Sequence, residues 1–228
     1  MRVRDNNGQP QPFRTACLVP PASKKDTKLK VGEDASVKNY DIISIGDSSD
    51  SKDDHSNSDR TNYFRNLSLS YFAAEPTEML EHKHLKQLCL ENDNPEAHYI
   101  EGILQYFLQN KRRNGLFHLR QSSIGNYKDG TYLYGLLLLA LERFCKGEKY
   151  LDKLKWKENL STSDQCWERV KKSLSDIPLG MNPGYHIAMT NLEALCNCHK
   201  DNMAEECNHG YYYQRLSQFV QFAMNRDH

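Results

Sequence analysis

Neither sign of charge is in excess in this sequence: 30 Lys and Arg stand against 30 Asp and Glu over 228 residues. Non-specific nucleic-acid binding needs surplus Lys and Arg to neutralise phosphates, so no nucleic-acid partner is expected. Long apolar runs are also missing. The longest, from Tyr132 to Leu141, falls well short of the roughly 20 residues that cross a bilayer, and no membrane span is expected. The opening stretch, Met1-Arg2-Val3-Arg4-Asp5-Asn6-Asn7-Gly8, lacks the apolar centre of a secretory signal, which points to the cytoplasm or nucleus. Catalytic signatures are absent as well. There is no Gly-x-Ser-x-Gly elbow and no phosphate-cradling glycine loop after a strand, so the chain does not read as an enzyme.

Apolar residues are few for a chain of this length. They make up 38% of the sequence, and the mean hydropathy is −0.79. Such a composition predicts a substantial unfolded part. Residues 1–65 fit that description, being rich in Asp, Ser, Asn and Lys and broken by Pro10, Pro12, Pro20 and Pro21. Residues 66–228 read as an all-α domain, with a repeat core over 77–147 and Cys-containing C-terminal helices over 148–228.

What is present is helical punctuation. Thr77 is placed to cap a helix carrying Leu85, Leu88 and Cys89 on one face. Asn94 caps the next, with Pro95 at the first helical position, where a missing N–H costs nothing. Its inner face is Ala97, Ile100, Leu104, Phe107 and Leu108. A turn at 110–114 leads to a helix with Leu116, Leu119 and Ile124 inward, ended by Gly125-Asn126. A third helix begins near Gly130. Further on, Trp167, Val170 and Leu174 share a face behind Ser163 or Asp164 as cap, and Asn182-Pro183 repeats the earlier start signal. The last helix carries an apolar stripe of Tyr212, Leu216, Phe219, Val220 and Ala223, with Gln214, Arg215, Gln218 and Gln221 facing away from it.

Two segments match each other. Ala97, Tyr99 and Gly102 correspond to Gly130, Tyr132 and Gly135, with aliphatics just after each glycine and an offset of 33 residues. A period in the thirties marks stacked helical hairpins, here tetratricopeptide-like, which hold partners rather than catalyse reactions. Mid-helix glycine costs roughly 1 kcal/mol relative to alanine, so its presence at equivalent places predicts close helix approach.

These same residues carry a family resemblance. Asn94-Pro95-Glu96-Ala97, Gly102, Tyr106-Phe107, Gly115-Leu116 and Tyr132-Leu133-Tyr134-Gly135 are similar to the C-terminal half of a plant F-box protein family. The resemblance implies a protein-interaction module that recognises substrates for an SCF-type ubiquitin ligase. That family docks a Skp-type adaptor through a three-helix unit opening with Leu-Pro and an acidic residue. Nothing before residue 66 supplies this unit, so adaptor docking is not expected.

Three groups of residues are candidates for a site. Tyr99, Glu101, Gln105 and Tyr134 lie on repeat helices, where such arrays bind peptides; tyrosine packing between repeats is the alternative. Ile42-Ile43-Ser44-Ile45, followed by Asp47, Asp50, Asp53 and Asp54, resembles a SUMO-interacting motif, which would add a strand to a sheet edge. Cys196, Cys198 or His199, Cys207 and His209 could hold a structural zinc, although Cys-x-Cys is tight for that geometry. No other cofactor is expected. The seven cysteines, an odd count, read as thiols or metal ligands rather than disulfides. His82 and His84 read as exposed, and His98 and His118 as surface or groove residues.

Overall fold

The computed structural model describes residues 61–179, 182–195 and 208–225, and all of the described secondary structure is helical. Residues 1–60, which contain most of the expected disordered tail and the Ile42, Ile43 and Ile45 motif, lie outside the described residues. After a helical turn at 61–66 come α1 (Ser70–Ala74), a 3-10 turn (Pro76–Leu80), α2 (Lys83–Glu91) and α3 (Pro95–Ile103). The helix of α3 runs on as a π-helical turn, Leu104–Leu108. Then follow α4 (Arg112–Ile124), α5 (Lys128–Ala140), α6 (Phe144–Asp152), α7 (Leu160–Ser173), α8 (Pro183–Leu195) and α9 (Asn208–Met224).

Local chemistry explains most of these boundaries. The Asn94 side chain accepts from the Glu96 and Ala97 amides at 2.9 and 3.0 Å, as the Asn-Pro signal predicts. The same Asn94 amide donates to the carbonyls of Phe64 and Leu67, so the cap also ties the start of the domain to α3. Asn182 repeats the device on Gly184. Helix ends are equally regular. Asp93, Asn110, Asn126 and Glu142 all take left-handed φ of 53–64°. The amide just after three of them reaches five residues back, Asn94 to Cys89, Tyr127 to Ser122 and Arg143 to Leu138, and that after Asn110 reaches six, Lys111 to Gln105. These are Schellman closures made without glycine.

The repeats are the hairpins α3/α4 and α5/α6. A Cβ on Gly115 would lie 2.6 Å from the Tyr106 Cβ and 2.8 Å from the Gly102 carbonyl oxygen. One repeat later, a Cβ on Gly147 would lie 2.9 Å from the Gly135 carbonyl oxygen. Each hairpin is therefore cinched by a glycine pair. The predicted close approach at Gly102 and Gly135 is real, and its partners are Gly115 and Gly147.

The C-terminal helices close one side of this core. The Tyr99 hydroxyl donates to Ser173 on α7 (2.8 Å). The Tyr106 hydroxyl meets that of Tyr185 on α8 (2.8 Å). Tyr132 packs near Trp167 on α7, and Trp156 stacks on Tyr211 of α9 with centroids 3.8 Å apart. Tyr212, Leu216, Phe219, Val220 and Ala223 are buried, as the stripe predicts. Each such side chain contributes about 1.5–3 kcal/mol by leaving water.

Several sequence expectations are corrected. Thr77 begins no α-helix: Pro76 opens a 3-10 turn, and the helix bearing Cys89 starts at Lys83. Leu108 and Ile124 are exposed, because the π-turn and the end of α4 rotate them out of the stripe. Asn159, rather than Ser163 or Asp164, stands at the start of α7. Arg215 does not face away from the core. It is buried at 3% exposure, pairs with Asp164 at 2.7 Å and lies over the Tyr211 ring. Cys145 is disulfide-bonded, against the reading of all seven cysteines as thiols or metal ligands. Sequence spacing cannot show which thiols the fold brings within about 6 Å of each other.

Candidate recognition surface

The repeat period places like with like. Residues 98, 101 and 118 of the first hairpin correspond to 131, 134 and 150 of the second. In the second hairpin Thr131 is buried and the other two positions are aromatic, with Tyr134 half-buried edge-on to Tyr150 (centroids 4.6 Å). In the first the row is a polar cluster. His98 Nδ1 lies 2.9 Å from His118 Nδ1. Lys86 on α2 pairs with the Glu101 carboxylate at 2.8 Å, and Gln105 donates to the same carboxylate. Asp93 stands 3.6 Å from His98 Nε2.

The electrostatics follow from this packing. Two ring nitrogens at hydrogen-bond distance share one proton, so the two histidines cannot both be charged. Burial pushes the pKa of His98 down against the opposing pull of Asp93, and burial together with the His98 charge does the same to His118. Burial alone would raise Glu101, but Gln105 and Lys86 outweigh it and hold its pKa below the usual carboxylate value. The two histidines bind fewer protons folded than unfolded. Their contribution to stability is complete above about pH 6.5 and is lost as pH falls through the lowered folded values. The urea midpoint should therefore drop between pH 7.5 and 5, and His118→Asn should shrink that drop. An unchanged pH profile in the variant would refute this reading of the pair.

The expected site residues thus separate. Glu101 and Tyr134 stand at equivalent repeat positions and Gln105 one turn beyond Glu101, with Gln105 and Tyr134 half-buried. Tyr99 does not join them; it is fully buried against α7, so it packs rather than recognises. His82 and His84 are exposed as read, whereas His98 and His118 are paired rather than free on the surface. That pair was missed because 20 residues separate its members and no local pattern joins them. The weak signal was that positions 98 and 118 sit on the facing helices of one hairpin.

Cys196, Cys198, His199 and Cys207 lie outside the described residues, as does the side chain of His209. Among the described residues, no group of three or more His, Cys, Asp or Glu is arranged to hold a metal. The free thiols Cys89 and Cys166 are buried. Burial raises both, with Asp129 helping to push Cys166 up to about 12, so neither is a nucleophile. Among the described residues, no helix is long and apolar enough to cross a membrane.

Comparison with known proteins agrees with this architecture. The plant tetratrico peptide repeat family matches residues 70–175, from α1 through α7. An F-box protein of Arabidopsis thaliana is 34% identical over 92 residues, which are 40% of this chain and 56% of the relative. Part of this chain is thus similar to a plant F-box protein. A second Arabidopsis protein, assigned provisionally to the same class, is 34% identical over 53 residues, covering 23% of this chain and 18% of its own length. The chain spans about half of the first relative. No solved structure matches the chain.

Proposed function

We propose that this chain acts as the substrate-recognition region of an SCF-type ubiquitin-ligase receptor, by binding alone and without chemistry of its own. The observation that carries the reading is the similarity of part of the chain to proteins named as F-box proteins, beside its match to the plant tetratrico peptide repeats. Helical repeats of this type hold protein partners on the faces they leave open. Here the aromatic face of α3 and α5 is occupied by α7, α8 and α9. The partner therefore docks on the row that includes Glu101, Gln105 and Tyr134.

The test is affinity capture of the tagged full chain from plant tissue, beside a Gln105→Ala/Tyr134→Ala variant. The ligase reading requires recovery of a Skp-type adaptor and cullin with the wild type, through a contact other than the three-helix unit that is not seen before residue 66, together with client proteins that the variant loses. Clients recovered without any ligase component would overturn the ligase assignment. Clients captured equally by the variant would overturn the docking row.

A further inference from the structure

Away from the docking row, the end of α4, the start of α5 and residues 153–162 enclose a polar cleft of about 360 Å³. Three lysines line it: Lys128, Lys153 and Lys155. Its hydroxyls come from Ser123, Thr131 and Thr162, and the buried Ser123 oxygen lies 2.9 Å from that of Thr131. The one carboxylate on the lining, Glu158, is 72% exposed and stands 3.7 Å from Lys155, where water screens it. The Lys153 ammonium sits 4.2 Å from the centre of the Tyr150 ring, which fixes its position. In a chain of zero net charge, this is a local concentration of positive charge.

Two helices also begin at the cleft. Lys128 opens α5 behind Tyr127, and Thr162 belongs to the first turn of α7 behind Asn159. Neither Tyr127 nor Asn159 makes a side-chain cap bond. Both helices bring their positive dipole ends to the cleft without a side-chain cap, although the Thr162 amide bonds the Asn159 carbonyl and Asp129 stands in the first turn of α5. Lysines, hydroxyl donors and two uncapped helix starts are the complement of a compact dianion with several acceptor oxygens.

We propose that this cleft binds a phosphorylated serine or threonine of a protein partner. The proposal deepens the recognition reading above and rests on it for the partner being a protein. Three lysines gathered in a pocket suit one phosphate; a nucleic-acid backbone would need a basic stripe following successive charges. The phosphate enters among Lys128, Lys153 and Lys155, and the flanking peptide runs over the cleft mouth. Phosphorylation of the partner, adding close to two negative charges, then decides whether it is held.

The test is fluorescence anisotropy with the full chain. The probe is a pool of peptides with a central phosphoserine and randomised flanks, measured beside the same pool with serine. The phosphorylated pool is expected to bind about tenfold more tightly or better, as charge-assisted bonds require. Lys128→Glu/Lys153→Glu should abolish that preference, while Lys146→Glu, an exposed lysine outside the lining, should keep it. Thermal melts of the variants establish that they are folded. Equal binding of both pools would overturn the proposal. So would a preference that survives the double variant, or binding confined to vesicles containing a phosphoinositide. The measurement needs no ligase component. Its failure therefore leaves the ligase reading standing, and loss of adaptor and cullin in the capture experiment leaves this site standing.

Discussion

Gly115→Ala should cost about 2–4 kcal/mol of unfolding free energy, a large loss for one added methyl group. The magnitude follows from what the methyl meets. Its nearest neighbours are the Cβ and amide nitrogen of Tyr106, at 2.6 and 2.7 Å, and the Gly102 carbonyl oxygen at 2.8 Å. Two of these are backbone atoms, so no side chain can swing aside. The hairpin α3/α4 must open by several tenths of an ångström, and Tyr106 must then part from Tyr185. Gly102→Ala meets mainly the Leu119 side chain and should cost less. Gly184→Ala is the control. Its new methyl has only the Asn182 side chain near it, at 3.2 Å, and stability should stay within about 0.5 kcal/mol. Urea unfolding followed by circular dichroism checks all three. A Gly115→Ala midpoint equal to that of the wild type would mean that the hairpins are not cinched at the glycines.

The glycine period was legible because the constraint is local to each hairpin and recurs. One helix carries the glycine, its partner carries another, and the spacing repeats. The Asn94-Pro95 and Asn182-Pro183 starts were legible for a similar reason, since a cap is satisfied within three residues. What escaped were pairings across elements. Arg215 read as solvent-facing because glutamines surround it on the helical wheel. Its burial depends on Asp164, 51 positions earlier, and on the Tyr211 ring. The π-turn at Leu104–Leu108 escaped because it shifts the helical phase by one residue in an ordinary run of Leu, Gln and aromatics, and that shift carries Leu108 out to solvent. Glu101, Gln105 and Tyr134 were nominated from the repeat helices. Lys86 and the histidine pair were not, because they belong to the candidate site only after α2 and α4 have packed against α3.

The closed aromatic face gives the C-terminal helices a role that the period alone did not define. Two hairpins are fewer than the three or so repeats that usually sustain such an array. Tyr99, Tyr106 and Tyr132 would stand bare without a cover. The helices α7, α8 and α9 supply it, and they do so with hydrogen-bonded hydroxyls as well as apolar area: Tyr99 to Ser173 and Tyr106 with Tyr185 across the seam, and Tyr211 to Ser163 within the cover. That seam fixes one register of the cover on the repeats, since each buried hydroxyl needs its partner.

Phe219→Ala should therefore destabilise the whole described domain and not merely α9. Phe219 is fully buried, with its ring 5.7 Å from that of Tyr185, and truncating such a ring costs about 3–5 kcal/mol. Because α9 packs on both α8 and α5, the loss reaches the second repeat. Circular dichroism and the fluorescence of Trp156 and Trp167 should then shift together, in one transition at a lower urea midpoint. Gln221→Ala, on the exposed side of the same helix with only Ser217 as partner, should change little. The competing expectation treats α9 as a detachable ligand lying in a repeat groove. On that view Phe219→Ala would release α9 and leave the repeats melting at their original midpoint, so tryptophan fluorescence would move first and helical signal later. Two separated transitions would decide for a detachable helix. A single lowered one would establish that the last helix is part of the fold.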